Sequence, residues 1–102
     1  MEVKITEKDN VMTAQLIGRL DTAVSQQVSA ELQPCIDNAD KTVVLDCKEL
    51  AYISSSGLRI FLTLRKAAAS KGGKVIVRDI NNEIRQVFMM TGFLNLFEIQ
   101  ES

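Results

Sequence analysis

The chain has 102 residues, of which 46% are apolar and 25% charged, and this composition predicts one globular domain over residues 1–102. Its 12 basic and 13 acidic side chains leave a net charge of -1, so we expect no binding of nucleic acid. Because histidine is absent and the only cysteines are Cys35 and Cys47, Ser-His-Asp and Cys-His catalysis are excluded and we expect no bound metal and no cofactor. The first residues alternate charged and apolar side chains, so we expect no signal peptide, and no apolar stretch approaches the ~18 residues of a membrane span. We therefore expect a cytoplasmic protein with reduced thiols and no direct membrane insertion.

Two short strands open the chain, at residues 3–8 and 11–18, since polar and apolar side chains alternate in both. Asp9 and Asn10 lie between the strands and predict a hairpin turn of type I′. The alternation in the second strand is typical of a sheet that has one solvent-exposed face.

A helix is predicted after the hairpin, because the hydrophobic period changes there from two to about four. The apolar positions of this helix recur at Val24, Val28 and Leu32. Asp21 or Thr22 is expected to cap its start, which is the usual role of such a residue before a helix. Pro34 is expected to kink or end the helix, and residues 37–40 then form a loop.

A third strand and a second helix are predicted in the middle of the chain. Residues 42–45 form a β-branched and apolar run that is typical of a strand buried on both faces. The polar triplet 54–56 precedes a long helix over about residues 57–70, and one of the three serines is expected to cap it. Gly72 and Gly73 predict a left-handed end to this helix.

The last third of the chain predicts one more strand and helix and a closing strand. The strand covers residues 74–78, the helix is capped by Asn81 or Asn82 and ended by Gly92, and the closing strand covers residues 97–99. This element order predicts an α/β fold with a mixed sheet of four to five strands and three or four packed helices. The opening hairpin would be followed by right-handed crossover connections.

The serine triplet Ser54, Ser55 and Ser56 is the sharpest local feature of the sequence. A helix start exposes unpaired N–H groups and the positive end of the helix dipole, so it favours negative charge and would suit a phosphate. The plainer alternative, that these serines only cap the helix, is favoured by the residues alone. Catalysis is not expected, because neither a histidine, a Gly-x-Ser-x-Gly elbow nor a Ser-x-x-Lys spacing is present to activate a hydroxyl.

The helix after the triplet is more apolar than one buried face requires. Its polar strip consists of Arg59, Thr63, Lys66 and Ser70. The surplus apolar surface either faces neighbouring helices or faces a partner protein, and its position beside the serines slightly favours the partner.

Several short motifs, in this order and spacing, resemble those of the STAS family, the domain shared by sulfate transporters and bacterial anti-sigma factor antagonists. The resemblance runs along essentially the whole chain. It is carried by Gly18-x-Leu20-Asp21, the strand closing with Asp46, Tyr52-Ile53-x-Ser55-Ser56-Gly57-Leu58, Gly72-Gly73, Val87-Phe88 and Thr91-Gly92-Phe93.

The resemblance implies a phosphorylation switch at the serine triplet. In antagonists of this family, the serine before the motif glycine is phosphorylated by the anti-sigma factor, a serine kinase, and a serine phosphatase removes the phosphate. That serine is Ser56 here, and Ser55 is an alternative acceptor. The family commonly has aspartate two residues before the acceptor, a position that Ser54 occupies in this chain. The expected partner-binding residues are Asp21, Ser54, Ser55, Ser56, Gly57, Leu58 and Arg59.

The resemblance also leaves a second function open, that of a non-phosphorylated STAS subunit or scaffold of a membrane lipid-transport ATPase complex. In either function the chain binds other proteins and is not expected to be an enzyme. Its oligomeric state is not indicated by the sequence.

Overall fold

The computed structural model describes residues 1–101, which form six strands, four α-helices and a short 3₁₀ turn. In chain order the elements are β1 (Glu2–Lys8), β2 (Val11–Leu20), α1 (Thr22–Glu31), α2 (Gln33–Asp37), β3 (Thr42–Asp46), β4 (Leu50–Ile53), α3 (Ser55–Lys71), β5 (Lys74–Arg78), α4 (Asn82–Thr91), the 3₁₀ turn (Phe93–Asn95) and β6 (Glu98–Gln100). The predicted α/β class is therefore confirmed.

The strands form one mixed sheet in the order β1-β2-β3-β5-β6. Strands β1 and β2 are antiparallel, whereas the pairs β2–β3, β3–β5 and β5–β6 are parallel. Strand β4 is an addition to the four to five strands that the sequence predicts. It pairs in parallel with the end of β2, where Leu20 is aligned with Ile53, and the register shifts between Gly18 and Arg19.

The turns and helix ends follow the local chemistry of the sequence. Asp9 and Asn10 have φ angles of 53° and 66°, as a type I′ hairpin requires, so this prediction is confirmed. Gly72 and Gly92 end α3 and α4 in the left-handed conformation, with φ angles of 82° and 81°. Pro34 lies in the first turn of the separate helix α2, where its missing N–H costs no helical hydrogen bond.

The hydrophobic core lies on one face of the sheet, and helix α3 runs through it. The α3 residues buried there are Leu58, Ile60, Phe61, Leu64 and Ala68. The ring of Phe61 packs edge-on against Phe88 of α4 and Phe97, at centroid distances of 6.2 and 6.3 Å. Most of the surplus apolar surface of α3 is thus covered by the rest of the chain. The sequence had slightly favoured a partner protein as the cover for this surface.

Both cysteines are free and buried. Burial raises the pKa of the Cys35 thiol to about 11, and burial together with Asp46 and Asp79 raises the pKa of the Cys47 thiol still further. Both thiols are therefore protonated, and no thiolate is present at neutral pH to act as a nucleophile.

We expect the free energy of unfolding to fall as pH rises above about 9. The unfolded chain loses its thiol protons near their ordinary pKa of 9.0, whereas the folded chain keeps the Cys47 proton, so this residue contributes a slope of about -1.4 kcal/mol per pH unit. Urea unfolding of wild type and Cys47→Ala between pH 7.5 and 10.5 measures this contribution. Equal slopes in the two proteins would contradict it.

Candidate functional site

The candidate site lies at the edge of the sheet where β2 and β4 end. Leu20 and Ile53 are the last residues of these paired parallel strands, and the Ser54 amide donates a hydrogen bond to the Leu20 carbonyl at 2.9 Å. The next residues, Asp21 and Ser54, therefore leave the sheet at the same edge. Each caps a helix, Asp21 for α1 and Ser54 for α3.

Ser54 is a structural part of this site. Its Oγ accepts a hydrogen bond from the Gly57 amide at 3.2 Å, and its carbonyl accepts one from the Leu58 amide at 2.9 Å. Only 9% of the residue is exposed. Ser54 therefore satisfies two N–H groups of the first turn of α3, as an N-cap residue should.

Ser55 and Ser56 are the first two residues of α3, which begins two residues earlier than the sequence predicts. Ser55 is exposed and Ser56 is half-buried. Amides at these two positions have no carbonyl one turn earlier to bond, and the first turn carries no acidic side chain. The surface around both hydroxyls is consequently favourable to added negative charge.

Gly57 holds this helix start tightly against the strands. A Cβ atom at this position would lie 2.8 Å from the side chains of both Leu20 and Ile53, closer than packed atoms tolerate. The absence of a side chain thus lets α3 approach the ends of β2 and β4, which fixes the height of Ser56 above the sheet.

The seven predicted partner-binding residues divide by exposure. Ser55 and Arg59 are exposed, Ser56 and Asp21 are half-buried, and Ser54, Gly57 and Leu58 are buried. The three buried residues lie beneath the surface of the site and support it. The four exposed or half-buried residues are accessible to a partner in the isolated chain.

One feature of this edge is missed by the sequence interpretation, a pair formed by Arg19 and Tyr52. These residues are aligned across β2 and β4, and the Arg19 guanidinium carbon lies 4.5 Å from the centre of the Tyr52 ring. Such cation–π contacts hold an exposed ring in place, and Tyr52 is 39% exposed. No signal in the sequence reveals this pair, because it depends on the parallel alignment of β4 with the end of β2.

Within residues 1–101 no cluster of three or more carboxylate or thiol side chains could hold a metal ion. None of the helices in this part of the chain is long and apolar enough to cross a bilayer. The arrangement presents the hydroxyls of Ser55 and Ser56 at the surface of the chain.

Comparison with known proteins agrees with this geometry. The STAS domain profile matches residues 2–102. BtrV of Bordetella bronchiseptica, a candidate anti-sigma factor antagonist, is 33% identical over 102 residues, which cover 100% of this chain and 88% of that protein. The anti-sigma F factor antagonist of Paenibacillus polymyxa is 26% identical, with coverage of 100% and 88%.

Solved structures show the same fold at low sequence identity. A candidate antagonist from Thermotoga maritima has a TM-score of 0.90 at 16% identity, over 98% of this chain and 86% of that one. SpoIIAA of Bacillus in its phosphorylated form has a TM-score of 0.76 at 18% identity, with coverage of 99% and 91%. With the profile match over nearly its full length, the chain belongs to the STAS domain family.

Proposed function

We propose that this chain is an anti-sigma factor antagonist controlled by phosphorylation of Ser56. Unmodified, it binds an anti-sigma factor serine kinase and so frees a sigma factor for transcription. Once phosphorylated by that kinase it is released, and a serine phosphatase restores the first state. The cycle consumes ATP, so we place it in the cytoplasm. Membership of the STAS family and the similarity to named antagonists support this proposal.

The observation that carries the proposal is the position of the Ser56 hydroxyl. It lies on the second residue of α3, half-buried, at the positive end of the helix dipole. Within residues 1–101 its oxygen has no hydrogen-bond partner, whereas the Ser54 oxygen is occupied by the Gly57 amide. Of the three serines, Ser54 is therefore the poorest acceptor, and Ser55 and Ser56 are the two candidates.

Ser54 replaces the aspartate that the family commonly has, and its geometry is compatible with modification of Ser56. Serine and aspartate are both good N-cap residues, and Ser54 caps α3 without adding charge next to the acceptor. A phosphate on Ser56 would thus meet no carboxylate in the first turn of its own helix.

Electrostatics and packing determine the direction of the switch. A phosphoserine carries ~1.5 to 2 negative charges at neutral pH, and these must be desolvated when a protein covers the site. Binding is lost when the partner offers no matching cation, whereas the helix start tolerates the phosphate and leaves the fold intact.

The test is intact-mass spectrometry after incubation with Mg-ATP and each anti-sigma factor kinase of the source organism. We expect a single phosphate on wild type and on Ser55→Ala, and none on Ser56→Ala. Modification that persists in Ser56→Ala and disappears in Ser55→Ala would move the acceptor to Ser55. No modification by any of these kinases would contradict the proposal and favour the non-phosphorylated transporter subunit.

A further inference from the structure

A small cleft lies between β4 and the first turns of α4, next to the serine site. Its volume is about 120 Å³, and it is lined by Ala51, Tyr52, Ile53, Glu83, Ile84 and Val87. Ile53 directly precedes Ser54, so the cleft and the serine site share a wall. A protein that covers Ser56 and extends along β4 would also cover the cleft.

The size of the cleft limits what it can hold. Sites for cofactors and drug-sized ligands measure about 300 to 1,000 Å³, whereas an apolar cavity of about 150 Å³ holds a single benzene. A cleft of about 120 Å³ therefore has room for one aliphatic side chain and is too small for a nucleotide.

Asn81 holds the two walls of the cleft together. Its Oδ1 accepts a hydrogen bond from the Ile84 amide at 2.8 Å and thereby caps α4. Its Nδ2 donates to the carbonyls of Leu50 and Ala51 in β4, at 3.2 and 3.4 Å. Because one side chain bonds to both walls, the cleft is formed before any partner arrives, which lowers the entropic cost of filling it.

One acidic side chain, Glu83, lies at the rim of the otherwise uncharged cleft. Glu83 is exposed on the α4 side, and its carboxylate forms no ion pair within residues 1–101. On the β4 side the Arg19 guanidinium lies over the Tyr52 ring. A partner segment with a basic residue facing Glu83 would complement this rim.

From this geometry we propose that the cleft receives one aliphatic side chain of the anti-sigma factor kinase, next to a lysine or arginine that pairs with Glu83. The inference rests on the proposed function and adds a second contact point to it. In this proposal the cleft contributes to the affinity for the kinase, while phosphorylation of Ser56 determines whether the kinase stays bound.

Replacing a residue that lines the cleft by a larger one tests this inference. Ala51 is exposed at the cleft wall, and Ala51→Leu places a larger aliphatic side chain there. We expect Ala51→Leu to weaken kinase binding at least tenfold and Glu83→Lys to weaken it three- to tenfold, measured by isothermal titration calorimetry. Ala30→Leu, the same change at an exposed position of α1, is the matched control and should bind like wild type.

A second measurement needs no kinase. N-acetyl-leucine methylamide at millimolar concentrations should shift the ¹⁵N–¹H signals of the cleft residues in wild type and leave Ala51→Leu unchanged. Kinase binding by Ala51→Leu equal to wild type, or the same probe shifts in both proteins, would overturn the inference. Probe shifts in wild type without any kinase binding would refute the proposed function and retain the cleft as a receptor for an aliphatic side chain.

Discussion

Replacing Ser56 by glutamate should lower the affinity of the chain for its anti-sigma factor kinase by about ten- to hundredfold, or ~1.4 to 3 kcal/mol. Glutamate brings one permanent negative charge to a half-buried position that must lose water when the kinase covers it. The same charge is favourable at the start of a helix, so the melting temperature should stay close to that of wild type. Isothermal titration calorimetry measures the affinity, and thermal unfolding measures the stability.

Two controls separate this effect from a general effect of charge. Ser56→Ala should bind the kinase like wild type and, unable to accept phosphate, should remain bound in the presence of Mg-ATP. Ser29→Glu adds the same charge at an exposed position two turns into α1 and should leave binding unchanged. If Ser56→Glu bound as tightly as Ser56→Ala, charge at this position would not control partner exchange.

Replacing Gly73 by alanine should destabilise the fold by at least about 3 kcal/mol, a large share of the 5 to 15 kcal/mol typical of a domain. The added Cβ would lie 1.9 Å from the carbonyl oxygen of Ala39 and 2.4 Å from that of Lys41. Both oxygens belong to backbone next to β3, so the clash cannot be relieved by a rotamer change. Urea unfolding monitored by circular dichroism measures the loss.

The neighbouring glycine provides the comparison. Gly72 has a φ angle of 82°, and a Cβ atom added to it would meet no atom within 4 Å beyond its neighbours in the chain. Gly72→Ala should therefore cost only the strain of the left-handed conformation, about 1 to 2 kcal/mol. A larger loss in Gly72→Ala than in Gly73→Ala would show that backbone strain outweighs the close approach of the chain at this turn.

The elements that the sequence predicts correctly are those with a local physical cause. Asp21, Ser54 and Asn81 cap three helices because each offers a side-chain oxygen to an amide in the first turn. The hairpin depends on two adjacent residues, Asp9 and Asn10, that tolerate positive φ angles. Such features need no knowledge of the rest of the fold.

Strand β4 could not be predicted in this way. It has four residues, and its pairing partner is the end of β2, about thirty residues earlier in the chain. Its formation depends on the parallel alignment with β2 and on the bonds from Asn81, both of which are long-range contacts. The burial of the extra apolar side chains of α3 could not be predicted for the same reason, because they pack against elements distant in the sequence.

The family resemblance locates the serine triplet of the candidate site, but only the structure distinguishes the roles of the three serines. Ser54 is a buried N-cap residue, whereas the hydroxyls of Ser55 and Ser56 are accessible. The Arg19 and Tyr52 pair is likewise invisible until β2 and β4 are aligned.

Strand β4 joins the sheet through only three aligned pairs with β2, outside the row formed by the other five strands. Its two exposed residues, Ala51 and Tyr52, lie outside the hydrophobic core, so substitutions at these positions disturb few of the contacts on which folding depends. The surface that we propose contacts other proteins is therefore freer to diverge than the scaffold that carries it, so paralogues within one cell could acquire separate partners while sharing a common architecture.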